Sequence, residues 1–101
     1  MATVNIKWFR PTILGAATAV YGIDIYPPET FTSSASSQVT TNAAPNTGEG
    51  VVLVRVVAVG GDIWMTIGKT PTAVTQTGTL LLDGIPEVFK LEKGDKIAII
   101  N

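Results

Sequence analysis

The chain has 101 residues, of which 46% are hydrophobic and 15% are charged, and its formal net charge is −1. This size fits one domain with its own core, and the charge excludes a basic footprint for nucleic acid. With neither cysteine nor histidine, the chain has no disulfide and lacks the commonest general base and zinc ligand. A charged fraction below the usual share of about a quarter favours a surface that is partly buried against other chains over a monomer that simply carries few charges.

Neither a membrane span nor a signal peptide is evident. Arg55 interrupts the longest apolar run, which falls short of the roughly 20 residues that cross a bilayer. The first ten residues, MATVNIKWFR, alternate between polar and apolar types, unlike a signal peptide. We therefore expect a soluble protein that is made in a cytoplasm.

The first part of the chain, residues 1–28, is predicted to be an extended N-terminal segment, either an arm or a strand. Apolar and polar residues alternate over residues 3–9, which is typical of a half-buried strand, and Pro11 is expected to end it. The pattern loosens over residues 12–26, where irregular extended chain is favoured over a helical turn. Pro27-Pro28 then ends any ladder of hydrogen bonds.

A polar stretch rich in Ser, Thr and Asn covers residues 29–50, with no charge between Glu29 and Glu49. Two interpretations stay open. One is an edge strand over residues 30–41, followed by a turn at residues 44–46, and the other is a solvated loop. A hydroxyl-rich edge of the first kind often lies against a neighbouring molecule.

The centre of the chain is the sequence VVLVRVVAVGGDIWMTIG, residues 51–68. Its β-branched residues favour strands, and the junction Gly60-Gly61-Asp62 predicts a tight hairpin in the middle of a sheet. Every even position over residues 52–58 is apolar and is expected in the deepest core. The odd face carries Arg55 and needs a second cover, from another sheet or another subunit. Arg55 should accordingly be paired or lie at a subunit contact.

Three further short strands are predicted over residues 79–82, 87–91 and 96–100, separated by Gly, Pro and Asp turns. The last two are expected to form a terminal hairpin with Phe89 and Leu91 pointing inward. The fold class is therefore all-β: one small β-sandwich over the whole chain, jelly-roll-like or a Greek key, with an extended N-terminal segment. Residues 51–101 are expected to supply the core hairpins.

No arrangement of residues predicts catalysis. Asp62, Asp83 and Asp95 each lie beside a glycine, where aspartate usually bonds the backbone of a turn. The serines of the polar stretch have no histidine to activate them, and no run of oxygen ligands fits calcium. We expect a protein that is not an enzyme, with no catalytic residues, no metal and no cofactor.

The candidate interface residues, all aromatic or arginine, are Trp8, Phe9, Arg10, Tyr21, Tyr26, Arg55 and Trp64. The run Trp8-Phe9-Arg10 has the composition of an interaction hot spot. Trp64 alternates with the predicted core residues, so it either covers the second sheet or contacts a partner. If Trp64 and Tyr21 or Tyr26 shared one exposed face, they would form a stacking platform for a ligand such as a glycan.

The second half of the chain resembles a known class of protein in the order of its elements. VVLVRVVA is followed by GGDIWMTIG, PTA, TLLLDG, EVFKL and GDKIAII. This succession of strands and turns is similar to that of small β-sandwich virion proteins of tailed bacteriophages, the capsid decoration (cement) and head-fibre-type proteins. The resemblance covers residues 51–100 and consists of strand-and-turn patterns.

The resemblance implies a structural protein, made in the cytoplasm of a bacterial host, that binds the outer surface of the capsid. Its partner would be the major capsid protein, with no nucleic acid and no membrane. Such proteins commonly act as homotrimers and sometimes as dimers. The alternative function is a binding module at a fibre, spike or tail that contacts host glycan or another virion protein.

Overall fold

A computed structural model describes residues 2–14, 18–45 and 52–101, with the side chains of residues 11–24 left out of the description. These ranges contain nine β-strands and no helix. The strands are β1 Thr3–Leu14, β2 Thr18–Asp24, β3 Glu29–Thr32, β4 Gln38–Val39, β5 Val52–Val59, β6 Ile63–Gly68, β7 Thr79–Leu81, β8 Glu87–Leu91 and β9 Lys96–Ile100.

The strands form two antiparallel sheets. The five-stranded sheet has the order β2-β1-β5-β8, and β3 also pairs with β1. Both β2 and β3 lie on the side of β1 opposite β5, with β3 beside Thr3–Ile6 and β2 beside Phe9–Leu14. The four-stranded sheet has the order β4-β9-β6-β7. The predicted all-β sandwich is confirmed.

The strand order is that of a jelly roll with a shifted starting point. From β3 to β9 the chain changes sheet at every connection except β6 to β7. In a jelly roll that runs straight through eight strands, the eighth lies between the first and the third. Here β1 takes that place, between β3 and β5. The N-terminal segment is extended as predicted, and its first strand, β1, lies in the interior of the five-stranded sheet.

Ser33 links the start of β1 to the end of β9. Its buried hydroxyl accepts a hydrogen bond from the Ala2 backbone N–H at 2.8 Å and donates one to the Asn101 side chain. The Asn101 N–H in turn donates to the Ser34 carbonyl at 2.9 Å. The start of β1 and the end of β9 therefore meet at the same point of the sandwich.

The core lies between the two sheets and follows the period of two expected for half-buried strands. The even positions of β5 are buried as predicted, with at most 3% of each side chain exposed. The facing residues of the four-stranded sheet are Ile63, Met65, Leu81, Ile97 and Ile99. Phe89 packs against this core and Leu91 lies within it, which agrees with their predicted inward orientation.

The two predicted hairpins are wrong. β5 pairs with β1 and β8, whereas β6 pairs with β7 and β9, so Gly60-Gly61-Asp62 crosses between the sheets. In the same way, β8 and β9 lie in different sheets. Consecutive strands bury alternate residues in one core whether they pair side by side or face each other across it. The period of two is therefore the same in both arrangements.

The prediction that Pro11 ends the first strand is also wrong, because β1 continues to Leu14. Within the described residues, β1 pairs with β5 as far as Phe9, and from there to Leu14 it pairs with β2. A register shift between Phe9 and Pro11 marks a bulge at this point. Proline is tolerated at bulges and where a strand is paired on one side only.

The hydroxyl-rich stretch is partly strand. β3 and β4 occupy two short pieces of the predicted edge strand, and each lies at the edge of its sheet. The backbone N–H of Thr40 bonds to the carbonyl of Ile97 at 2.8 Å, which extends the β4–β9 contact. The turn predicted at residues 44–46 includes Asn46, which lies outside the described residues.

Candidate interaction surface

Asp62 and Asp83 hold the crossover between the sheets to the turn that follows β7. The Asp62 carboxylate accepts the N–H of Asp83 at 2.8 Å, and the Asp83 carboxylate accepts the N–H of Gly60 at 2.9 Å. The Gly84 N–H also donates to the Ala58 carbonyl at 2.7 Å. Both aspartates therefore bond turn backbone, the role predicted from their neighbouring glycines, and they fix residues 82–85 beside the end of β5.

Asp95 is held in the turn between β8 and β9. Its carboxylate accepts bonds from Lys69 Nζ and from the N–H of Glu92, both at 2.9 Å. Burial, the largest single influence, raises the pKa of Asp95, but the two hydrogen bonds and the Lys69 charge together lower it below its ordinary value of 3.8. The pair is partly shielded, since the Asp95 side chain is 14% exposed.

We predict that Asp95 makes stability sensitive to acid. Because its pKa is lower in the folded than in the unfolded chain, its stabilisation is present above the ordinary value of 3.8 and is lost as pH falls through the folded pKa. The difference in unfolding free energy between the wild type and Asp95→Asn should be largest near neutral pH and should shrink in acid. Urea titrations at several pH values measure it. If the difference in unfolding free energy were as large below pH 3.8 as it is near neutral pH, this role of Asp95 would be contradicted.

The side chains of Trp8 and Phe9 are buried, with exposed fractions of 0% and 2%. Trp8 Nε1 donates to the Glu29 carboxylate at 3.1 Å, and its ring meets that of Tyr26 edge-on, with centroids 5.9 Å apart. An interface anchor needs an exposed side chain, so the burial of these two residues differs from the position expected of a hot spot. Of the run Trp8-Phe9-Arg10, only Arg10 is exposed.

Glu29 connects Trp8 to the polar stretch. Besides the indole, its carboxylate accepts the N–H of Thr41 at 2.8 Å and that of Asn42 at 3.3 Å. Glu29 lies on β3, directly opposite Ile6 of β1. One carboxylate therefore ties β3, the central strand β1 and the chain after β4 together, and sequence reasoning did not identify it.

The other candidate aromatics are not assembled into one platform within the described side chains. Tyr26 packs against the main core and donates its hydroxyl to the Ala43 carbonyl at 2.9 Å. Trp64 lies on the outer face of the four-stranded sheet and packs against Ala73, Ala98 and Ile100. Trp64 is thus half-covered by the connection from β6 to β7. The side chain of Tyr21 lies outside the described residues.

Arg55 lies on the outer face of the five-stranded sheet, between Lys7 of β1 and Val88 of β8. Its side chain is half-buried, and within the described part of the chain no carboxylate pairs with its guanidinium. Like charges directly opposite each other on neighbouring strands are unfavourable. Of the two situations predicted for Arg55, pairing within the chain or a subunit contact, pairing is not seen among these residues.

Large apolar side chains remain exposed on both outer faces of the sandwich. Four of them, together with two cations, form what we call the β5–β8 surface, which consists of Val59, Leu82, Ile85, Val88, Arg55 and Lys90. The apolar members are exposed by 60%, 46%, 50% and 49% in that order, although isolated exposed residues are ordinary. Their adjacency follows from the pairing of Val88 with Arg55 and from the bonds that hold residues 82–85 beside β5. Contiguous exposed apolar residues indicate an interaction site.

The run of residues 79–82 is a sequence signal for part of this surface. The run Thr79-Leu80-Leu81-Leu82 is apolar on both faces of a short strand, and only Leu81 can point into the core. Since β7 ends the four-stranded sheet, the leucines on either side of Leu81 remain 40% and 46% exposed. A short edge strand with apolar residues on both faces therefore predicts exposed apolar surface.

Comparison with protein-family models, with characterised proteins and with solved structures finds no match for this chain. Within residues 2–14, 18–45 and 52–101, no helix is long and apolar enough to cross a bilayer. The same part of the chain contains no group of three or more His, Cys, Asp or Glu residues placed to hold a metal ion.

Proposed function

We propose that this chain is a structural virion protein of a tailed bacteriophage that binds the outer surface of the capsid and stabilises it as a cement or decoration protein. The partner in this proposal is the major capsid protein, and the chain acts as a homo-oligomer. The resemblance of residues 51–100 to small β-sandwich virion proteins supports the proposal.

The observation that carries the proposal is the exposed apolar surface of a chain with few charges. Seven large hydrophobic side chains in the described ranges are at least 40% exposed, on a chain of which only 15% is charged. A surface of this composition loses little when it is buried against another protein, because few ions must be desolvated. Such a surface suits a protein that functions with part of its surface buried against other proteins in an assembly.

Stabilisation of the shell follows from general binding physics. A protein that binds the assembled shell and not its separated subunits favours the shell by mass action. Each contact can be weak, because an oligomer that spans several capsid subunits gains from effective concentration. The edge strands β3 and β4 carry hydroxyl-rich sequence, and such an edge can extend a partner's sheet through backbone hydrogen bonds.

The copy number of this chain per purified virion tests the proposal. We expect hundreds of copies, in a simple ratio to the major capsid protein, as measured by quantitative mass spectrometry of purified particles. Purified protein added to shells that lack it should bind them and raise the temperature at which they disassemble.

Other copy numbers would contradict the cement function in distinguishable ways. A handful of copies would place the chain at a fibre, spike or tail and favour the binding-module alternative. Complete absence from the particle would overturn the virion proposal as a whole. Binding in a simple ratio without any change in shell stability would leave decoration without cementing.

A further inference from the structure

We propose that the outer face of the five-stranded sheet binds a partner protein through a segment that presents a carboxylate beside apolar side chains. The carboxylate pairs with Arg55 and Lys90, and the apolar groups cover Val88 and Val59. The inference deepens the proposed function, in which the partner is the major capsid protein, so the identity of the partner rests on that function. The chemistry of the contact follows from the residues of this chain.

Arg55 and Lys90 lie close together on this outer face. The even positions of β5 are buried, so Arg55 points away from the core. Lys90 of β8 lies opposite Leu53, two residues along β5 from Arg55, and residues opposite each other on paired strands share a face. Such diagonal neighbours are about 7–8 Å apart, so one carboxylate placed between these two long side chains can contact both.

The described strand positions of this face carry no carboxylate. The two described glutamates of the sheet, Glu29 and Glu87, lie opposite Ile6 and Val56, which point into the core. In residues 2–14, 18–45 and 52–101, no ion pair joins a carboxylate to the arginine of β5 or the lysine of β8. The described part of the face is therefore positively charged and open to the carboxylates of another molecule.

Arg55 is half-buried among apolar neighbours. Leu53 and Val57 flank it along β5, and Val88 lies opposite it on β8. On its other side it faces Lys7 of β1, which is a like charge and not a counter-charge. A guanidinium is weakly hydrated, forms bidentate bonds with carboxylates and is common at the centres of interfaces. A carboxylate is therefore the group that Arg55 is best suited to bind.

The apolar residues of this face favour a protein partner over a nucleic acid or a free anion. Val88 and Val59 are 49% and 60% exposed, and a small inorganic anion cannot bury them. A nucleic acid binds through many phosphate contacts, whereas this chain has only 7 lysine and arginine residues and a net charge of −1. A protein segment supplies both the carboxylate and the apolar groups.

The same face of a second copy fits this surface poorly. Because the described positions carry cations and no carboxylate, two copies stacked on this face across a two-fold axis would gain no ion pair there. Their like charges would also be brought closer together, which is unfavourable across an interface. The charges of the face therefore call for a partner surface of the opposite sign.

Peptide binding followed by NMR tests this chemistry without a capsid. The probe is the blocked peptide Leu-Thr-Glu-Thr-Leu, whose glutamate and leucines share one face when it is extended, and the control peptide has glutamine in place of glutamate. We expect the glutamate peptide to shift the Arg55 side-chain and Val88 methyl signals, with at least about threefold higher affinity than the glutamine peptide. Equal affinities, shifts elsewhere or no shifts would overturn the inference.

Two variants show whether Arg55 is the cause of this preference. Arg55→Gln should bind the two peptides equally. Lys96→Gln is the matched control, because Lys96 lies on the outer face of the other sheet, beside the buried Ile97, and it should retain the preference for glutamate. Amide NMR spectra establish that both variants are folded. A preference that survives in Arg55→Gln would contradict the role of Arg55.

Binding to purified shells then tests the partner. Arg55→Glu should raise the dissociation constant for shells at least about tenfold, because it sets like charges against each other, whereas Lys96→Glu should leave it unchanged. Zero-length carbodiimide cross-linking should join Lys90 to an aspartate or glutamate of the major capsid protein. A link from Lys90 to a second copy of this chain instead would overturn the inference.

The remaining outcomes separate the inference from the proposed function. If the wild type prefers the glutamate peptide but does not bind shells, the site stands and the proposed function is wrong. If Arg55→Glu binds shells as tightly as the wild type, the inference is wrong and the proposed function stands.

Discussion

Replacing Trp8 with alanine is expected to lower the free energy of unfolding by about 3–5 kcal/mol, the usual range for removing a buried tryptophan or phenylalanine. Trp8 is fully buried on the central strand β1, and its removal would leave a cavity between the sheets. It would also remove the indole that bonds Glu29 and the ring that meets Tyr26 edge-on. The cavity and the loss of these contacts both lower the free energy of unfolding.

Urea unfolding followed by circular dichroism measures the effect of Trp8→Ala. Val74→Ala is the matched control, because Val74 is 53% exposed and lies outside the β5–β8 surface, so its truncation should change the unfolding free energy by about 0.5 kcal/mol or less. If Trp8→Ala unfolds like the wild type but weakens self-association or shell binding, the tryptophan is an interface anchor and its burial in the monomer is not what matters. If Trp8→Ala fails to fold, Trp8→Phe retains most of the volume and should show a smaller loss in the same direction.

Replacing Gly78 with alanine is expected to destabilise the fold by about 2–4 kcal/mol. Gly78 has φ of +96°, a conformation that residues with a side chain rarely adopt. A Cβ at this position would lie 2.6 Å from the carbonyl oxygen of Met65 and 3.0 Å from the Thr66 hydroxyl. Since the first of these atoms belongs to the backbone of β6, relief requires the strands to move apart.

Gly84→Ala separates the two causes of this loss. Gly84 has φ of +77°, but a Cβ there would meet nothing within 4 Å. The control should therefore lose only the conformational part, about 1 kcal/mol. Thermal or urea unfolding of the two variants gives the comparison. Equal losses would show that the close approach of Gly78 to β6 has no energetic consequence.

The candidate surface could be predicted only in part. Arg55 is recognisable in the sequence because it interrupts an otherwise apolar strand, and the structure places it on the β5–β8 surface. Residue type alone favours Trp8 and Phe9 as interface residues, but it does not report whether the chain's own fold buries a side chain, as it does both of these. Val59, Leu82 and Ile85 come from different parts of the chain, and only the bonds of the crossover to the turn after β7 bring them together.

The amino-acid sequence by itself determined that this chain is all-β, where most of its strands lie and which face of β5 is buried. These properties depend on β-branched residues, a period of two and Gly, Pro and Asp turns, all of which are local. Only the tertiary structure decided that β5 pairs with β1 and crosses the core to β6, because both arrangements bury the same alternate residues. It also decided which apolar side chains stay exposed, since the number of strands in each sheet fixes where its edges lie and what covers them.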